Sequence, residues 1–230
     1  MRALLSSEIF LLALTIGAYL AASALYKKTG WKLLHPLLVS ACVIIVFLCL
    51  AGIDYGTYRE ATSIIDLMLG MSVVALGYLL YDNMSQVKGK LFSILASVTA
   101  GSVVGVISVA LIAKWMGAGE DIMLSLQPKS TTTPIALSIS ANSGGIESLT
   151  SLVVVFTGIF GSITGPFVLK LLGIKDRVAK GLALGAASHA VGTATAIKIG
   201  AVEGAAGGLA IGLMGVITAL LIPVIELILY

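Results

Sequence analysis

The chain is predicted to be an all-α polytopic membrane protein. About seven to eight transmembrane or re-entrant segments are expected, with two interrupted helices and inverted repeats. Three observations carry this. Of 230 residues, 58% are hydrophobic and 11% charged, with a mean hydropathy of +1.08; a soluble domain of that size needs more polar surface. Apolar runs long enough for a bilayer recur along the chain, continuous rather than alternating, which argues against a β-barrel. Finally, the polar stretch Gln127–Gly145 (QPKSTTTPIALSISANSGG) sits between apolar segments. Such backbone is tolerated in a membrane where it lines a cavity, not where it faces lipid.

Taken in order, Ile9–Tyr26 and Pro36–Ile53 read as plain spans. Arg2, an apolar run and Ala22-Ser23-Ala24 imitate a signal peptide, but Glu8 is wrong for a positive leader and Lys27 and Lys28 follow like a membrane stop. The first span is therefore expected to be retained. Ile64–Tyr81 carries Asp66, Gly70 and Gly77 and is expected to be irregular. Leu91–Ala113 and Leu149–Leu172 are spans, and Ala205–Leu229 closes the chain. Ile122–Ala141 holds the polar stretch, and Val178–Ile199 is dense in glycine and hydroxyl residues. The whole, 1–230, reads as one integral membrane domain: N-terminal spans over 1–60, a first repeat over 61–118, a second over 119–200 and a C-terminal span over 201–230.

Small residues four apart mark ridges for close helix packing: Ser97, Gly101 and Gly105; Thr157, Gly161 and Gly165; Gly204, Gly208 and Gly212. The repeat rests on two matches. Gly101-Ser-Val-Val-Gly105 pairs with Gly161-Ser-Ile-Thr-Gly165 at an offset of 60, and Ser72-Val-Val-Ala-Leu76 with Thr133-Pro-Ile-Ala-Leu137 at 61. Loop charges alternate. The loops Tyr26–His35 (+3), Asp82–Lys90 (+1) and Lys170–Lys180 (+3) are positive; Asp54–Glu60, Lys114–Asp121 and Asn142–Ser148 are each −1. Positive loops belong in the cytoplasm. The alternation persists only if Ile122–Ala141 dips in and returns to the same face.

The net charge of +3 is small and spread over loops, so nucleic acid is not expected. Cys42 and Cys49 read as packing residues. His35 and His189 are the only histidines, and no metal-ligand spacing or cofactor motif is present. Ser188-His189 does not read as a hydrolase pair. Adjacent helix residues diverge and no acidic third partner is evident, so the chain is not expected to be an enzyme.

The site chemistry centres on Lys129. A small anion needs a cation, hydrogen-bond donors and a dry pocket. Lys129 supplies charge; Ser130, Thr131, Thr132 and Thr133 supply hydroxyls. A half-helix starting near Pro134 would aim free N–H groups and its positive end at the anion. The alternatives for Lys129 are snorkelling to an interface or pairing with Asp66. Asn142, Gly144 and Gly145 form the turn that closes the segment. In the next polar segment, Ser188, His189, Gly192 and Thr193 are candidates. His189 either couples protons or binds the anion, or else ties two helices as a neutral ring. Asp66 is a proton acceptor, a counter-ion or an interfacial acid. Glu203 reads as a loop or end charge.

The runs Pro128-Lys-Ser-Thr-Thr-Thr-Pro-Ile-Ala136, Gly144-Gly145-Ile146, Gly181-Leu-Ala-Leu-Gly185 and Ser188-His-Ala-Val-Gly-Thr-Ala194 resemble the LrgB/CidB family, which includes the chloroplast glycolate/glycerate transporter. The resemblance runs from about Pro36 to Pro223. It departs where the family carries prolines near Met71 and Leu79, and where Glu147 replaces the proline after Gly-Gly-Ile, so the first broken helix is expected to be more continuous. The resemblance implies an integral protein of the bacterial inner membrane, often paired with a small LrgA/CidA-type membrane protein. It also implies one of two functions: a carrier of small monocarboxylates such as pyruvate, glycolate or glycerate, or a holin/antiholin-like regulator of murein hydrolase export. A buried charged site is expected of the first and unnecessary for the second. Partners are accordingly a small carboxylate, the bilayer, the LrgA/CidA-type subunit and further copies of the chain.

Overall fold

A computed structural model describes residues 5–31, 34–65, 67, 68, 71, 78, 81 and 88–229. Asp66, most of Ile64–Tyr81 and the Ser72–Leu76 half of the repeat lie outside them. The chain divides into two compact units, Met1–Val74 and Ala75–Tyr230.

In the first unit, α1 (Glu8–Thr29) ends on Gly30 at φ +63, a left-handed stop that leaves its N–H bonded to the Tyr26 carbonyl. α2 (Pro36–Ala51) starts with proline in its first turn, where the missing donor costs nothing. Its 16 residues rise about 24 Å, short of the ~30 Å hydrocarbon thickness. Leu11, Ile44, Leu48 and Ala61 form the core. Both cysteines were expected to pack, but they lie on the exposed surface of α2, because Ile44 and Leu48 occupy the buried stripe. The segment expected as an Asp54–Glu60 loop instead forms a short helix, α3 (Tyr55–Ala61). Asp54 caps it by accepting the Gly56 N–H, and Tyr58 reaches Thr15 of α1 at 2.9 Å.

The second unit contains α4 (Leu91–Trp115), α5 (Glu120–Leu126), α6 (Thr133–Ser143), α7 (Glu147–Leu171), α8 (Arg177–Ile199) and α9 (Ala201–Leu229). Among the described residues, α1, α4, α7 and α9 are long and apolar enough to cross a membrane. Their outward faces are apolar, with Phe92 85% and Leu227 87% exposed. The chain is thus an all-α integral membrane protein.

The sequence suggests a single span over Val178–Ile199. The structure bends it back on itself. Helical geometry breaks at Ser188 (φ −136, ψ 19) and His189 (φ 43, ψ −131). The arms 177–187 and 190–199 then lie side by side. A Cβ on Gly192 would strike the Leu184 carbonyl, and one on Gly200 would lie 3.1 Å from the Arg177 guanidinium. Each arm rises about 15 Å, half a bilayer core. The Ile122–Ala141 region folds back as well. A Cβ on Gly145, beyond the end of α6, would come within 3.0 Å of the Ser125 backbone in α5. Ser125 Oγ accepts the Ile146 N–H at 2.7 Å, and the Thr150 hydroxyl donates to the Ser125 carbonyl at 3.1 Å.

These two hairpins approach from opposite ends. Lys90, just before α4, bonds Asp176, which caps α8, at 2.6 Å, so α4 and the first arm of α8 start together. α9 begins at the same end, where Arg177 Nε donates to Glu203 at 3.2 Å. α6 runs outward beside the distal half of α9: Ile135 abuts Gly215, and Ile139 packs against the cluster of Val106, Ile222 and Ile225. The α5–α6 hairpin therefore presents its turn, residues 127–132, from the far end.

Close approach of backbones holds the α8 hairpin to α9. A Cβ on Gly181 would strike the Glu203 carbonyl, and one on Gly185 the Gly207 carbonyl. The expected ridges behave unequally. Gly161, Gly165 and Gly204 face neighbours at contact distance, but Gly101 and Gly212 meet nothing within 4 Å. The Ser102 and Thr218 hydroxyls tie α4 to α9 at 2.9 Å. Glu203, expected as a loop charge, is 4% exposed and paired with Arg177, because the hairpin brings the two helix starts together.

Two predictions follow from this packing. Gly181→Ala and Gly185→Ala each force a methyl into backbone that has no flexible side chain to move. Each should lose on the order of 1–3 kcal/mol in thermal unfolding in detergent, while Gly212→Ala changes little. The second concerns Asp176, whose carboxyl the Lys90 hydrogen bond, and then the Ala179 N–H, hold below the usual carboxylate range. A depressed folded pKa gives stability that is present above the unfolded value and is lost as pH falls through the folded one. Asp176→Asn, which still caps α8, should be less stable than the parent at neutral pH, and the gap should close in acid.

Candidate functional site

The site is built where the two hairpin turns meet. Pro128 and Pro134 prevent the α5 helix from running into α6. Thr131 is 1% exposed and donates to the Pro128 carbonyl at 2.9 Å, which shapes the turn rather than a pocket. Thr132 stands at the N-cap of α6 with extended backbone, Thr133 opens the helix, and Pro134 lies in its first turn on an exposed face. The half-helix expected from Pro134 is thus present.

This turn carries Lys129, whose ammonium donates to the Gly105 carbonyl at 3.3 Å. Gly105 lies about 21 Å along α4 from Leu91 and about 15 Å from Trp115, so the charge sits near mid-helix. Lys129 has not snorkelled to a helix end, and among the described residues it forms no ion pair. The opposing turn reaches the same level. Ser188 is fully buried against Gly161, where any Cβ would collide with its hydroxyl, and Gly161 is likewise mid-helix in α7.

A cavity of about 680 Å³ opens between α4, α7 and the first arm of α8. Such a volume lies within the ~300–1,000 Å³ of ligand pockets. Lys129, Ser130 and Ser188 line it together with Gly101, Gly105, Gly161 and Gly165. The two glycine pairs of the sequence repeat therefore face one cavity. On α4 this leaves room for the lysine: its Nζ would lie 3.8 Å from a Cβ on Gly105.

Other candidates fall elsewhere. Asn142, Gly144 and Gly145 lie at the opposite end of α6 from Lys129, about 15 Å away along that helix. The expected closing turn is present: Gly144 takes a left-handed stop at φ +83, and Gly145 permits the close pass to Ser125. Thr193 is buried 1% exposed beside Gly207. Gly192 is needed for the two arms of α8 to touch. His189 does not line the cavity among the described residues. Its ring is buried against Gly158, and Nε2–H donates to the Val154 carbonyl at 2.9 Å, a bond that ties α8 to α7 at the reversal. A carbonyl can only accept, so this bond requires the proton on Nε2.

Among the described residues, no group of three or more His, Cys, Asp or Glu could hold a metal ion. The arrangement offers one ammonium, hydroxyls from two chain reversals and from Ser97, Thr157 and Thr164, and a wall that is apolar over the rest of the described lining. Sequence reading missed the reversal at 188–189 itself. The one signal for it was the crowding of Gly181, Gly185 and Gly192 around two polar residues.

If His189 is the tie between α7 and α8, His189→Phe should lose about 1–3 kcal/mol in detergent unfolding. His189→Gln, which can still donate to Val154, should recover part of that loss.

Comparison with known proteins places the chain among bacterial membrane proteins. The model of the LrgB-like family matches residues 15–228. The chain is 34% identical over 222 residues to the holin-like protein CidB of Staphylococcus epidermidis, covering 96% of this chain and 97% of that one. It is 36% identical over 219 residues to the antiholin-like protein LrgB of Bacillus subtilis, covering 95% of each. The holin-like protein CidB of Staphylococcus aureus is 35% identical over 222 residues, covering 96% and 97%. No solved structure gives a significant match.

Proposed function

The chain belongs to the LrgB-like family, and we propose that it is a secondary carrier of small monocarboxylates of the glycolate, glycerate or pyruvate type, coupled to protons and working by alternating access. One observation carries this reading: two hairpins entering from opposite ends bring Lys129 and Ser188 to a single mid-helix cavity. Holding an ammonium there against one carbonyl is costly unless an anion completes it. Hairpins that each reach half-way give two thin barriers, one on either side of the site, and moving one at a time exposes it alternately.

A second reading is favoured by the names of the relatives, which are holin-like and antiholin-like and say nothing of carboxylates. In that reading the chain acts as an oligomer in a pore or as a regulator of murein hydrolase export. Either reading accommodates a small LrgA/CidA-type membrane partner.

The two readings separate in proteoliposomes. The carrier reading predicts saturable, competed uptake of labelled glycolate, pyruvate or glycerate that responds to an imposed pH gradient, with the chain alone or with its small partner. Lys129→Gln should abolish that uptake, and Lys129→Met should do so while raising thermal stability, since the half-buried charge is gone. Leak of an unrelated dye without selective uptake would establish the pore reading instead.

A further inference from the structure

We propose that the protein carries a site for an anionic phospholipid, separate from the Lys129 cavity, in a basic pocket where α4, α8 and α9 begin. The site holds under either reading of the function. The pocket has a volume of about 520 Å³ and is lined by Lys90, Lys175, Asp176, Arg177, Val178 and Val202. Val178 and Val202 are buried members of the core that also holds Ile94 and Val98, and they give the pocket an apolar floor. Three cations stand around it against one carboxylate. The ligand this fits is a lipid phosphate with its glycerol backbone on the valines.

The cations keep donors free. Lys175 is exposed and forms no hydrogen bond or ion pair with any described residue. Arg177 uses only Nε, which donates to the two Glu203 carboxylate oxygens at 3.2 and 3.3 Å, and its half-exposed side chain leaves both Nη groups for a ligand. Lys90 gives one N–H to Asp176 and has two more. Asp176 is already engaged, since it accepts from Lys90 and from the Ala179 N–H. α4 starts at Lys90 without a side-chain cap, so its first-turn N–H groups add partial positive charge at the same place.

Depth distinguishes a lipid from a soluble anion. α4 turns Phe92 and Leu95 outward within its first two turns. The second arm of α8 ends on outward Ile197 and Ile199, next to Gly200, which approaches the Arg177 guanidinium. Apolar, lipid-facing surface therefore begins beside the cations, at the level where the phosphates of a leaflet lie. By loop charge this end is the cytoplasmic one. The anionic lipids of that leaflet are the ones that basic pockets between membrane helices take up.

The test uses purified full-length protein in an uncharged detergent. Thermal unfolding is titrated with dioleoyl phosphatidylglycerol, with dioleoyl phosphatidylcholine, and with the soluble anions glycerol phosphate and inorganic phosphate. Phosphatidylglycerol should stabilise with an apparent affinity on the order of tenfold above that of phosphatidylcholine, and the soluble anions should have no effect at the same concentrations. Lys175→Gln should weaken phosphatidylglycerol about fivefold, the share of one lysine at a membrane surface, and Lys175→Arg should restore it. Lys175 has no partner to lose, so Lys175→Gln without lipid should melt with the parent. Lys170→Gln removes an exposed lysine from the same end but outside the pocket, and should change the affinity little. Equal stabilisation by the two lipids would overturn the site, as would an unchanged affinity in Lys175→Gln. Equal losses in Lys170→Gln and Lys175→Gln would mean diffuse attraction to the surface and would also overturn it. Stabilisation by glycerol phosphate or inorganic phosphate as strong as that by phosphatidylglycerol would make this a soluble-anion site and overturn the lipid.

Discussion

The second unit depends on one reversal of the chain. At Ser188 and His189 the backbone leaves helical geometry, with His189 at φ +43, a region that a bulky residue rarely enters. Three contacts hold it there: the His189 bond to the Val154 carbonyl, the fit of Ser188 against Gly161, and the pass of Gly192 over the Leu184 carbonyl. Everything at the near end follows from the return of the second arm. Gly200 comes back to Arg177, α9 starts beside α8, and Glu203 is buried against a guanidinium rather than exposed in a loop. Without the reversal, α8 would be one continuous rod, and Ser188 would have no reason to stop at the level of Gly161.

The other hairpin reaches the same level by different means. Proline and hydroxyl chemistry make its turn, and small polar side chains close its base through Ser125, Ser140 and Thr150. In a bilayer each backbone group freed by such a turn needs a partner. Both turns therefore sit inside protein, between full-length helices that supply apolar surface to lipid. The cavity arises because glycine replaces side chains on α4 where the turns arrive. The small residues that sequence reading took for helix packing are divided between packing, on α7, and vacancy, on α4. The chemical consequence is a lysine at mid-helix whose charge is met by a single carbonyl among the described residues.

Much of this was legible beforehand. The spans α1, α4, α7 and α9 follow from apolar length, and the break between α5 and α6 follows from Pro128, Pro134 and the hydroxyl run. The loop charges kept alternating only if that segment turned back on itself, and the Gly145 return to Ser125 gives it that course. The α8 reversal was not legible as a reversal because it contains no proline. A histidine in left-handed geometry leaves no local mark, and it is paid for by tertiary contacts with α7. The placement of Asn142, Gly144 and Gly145 away from Lys129 was missed for a related reason. Adjacency in sequence suggested one site, but an eleven-residue helix separates the two ends.

The most direct measurement of this account is sidedness labelling with a membrane-impermeant thiol reagent, in a background where Cys42 and Cys49 are replaced by alanine. Single cysteines placed at Lys175, at Ala201 and at Asn142 would be compared in oriented vesicles. Opposed hairpins predict that the first two are labelled from one face and the third from the other. Labelling at Lys175 and Ala201 from opposite faces would mean that α8 crosses the membrane, and the meeting of two turns at Lys129 and Ser188 would be contradicted.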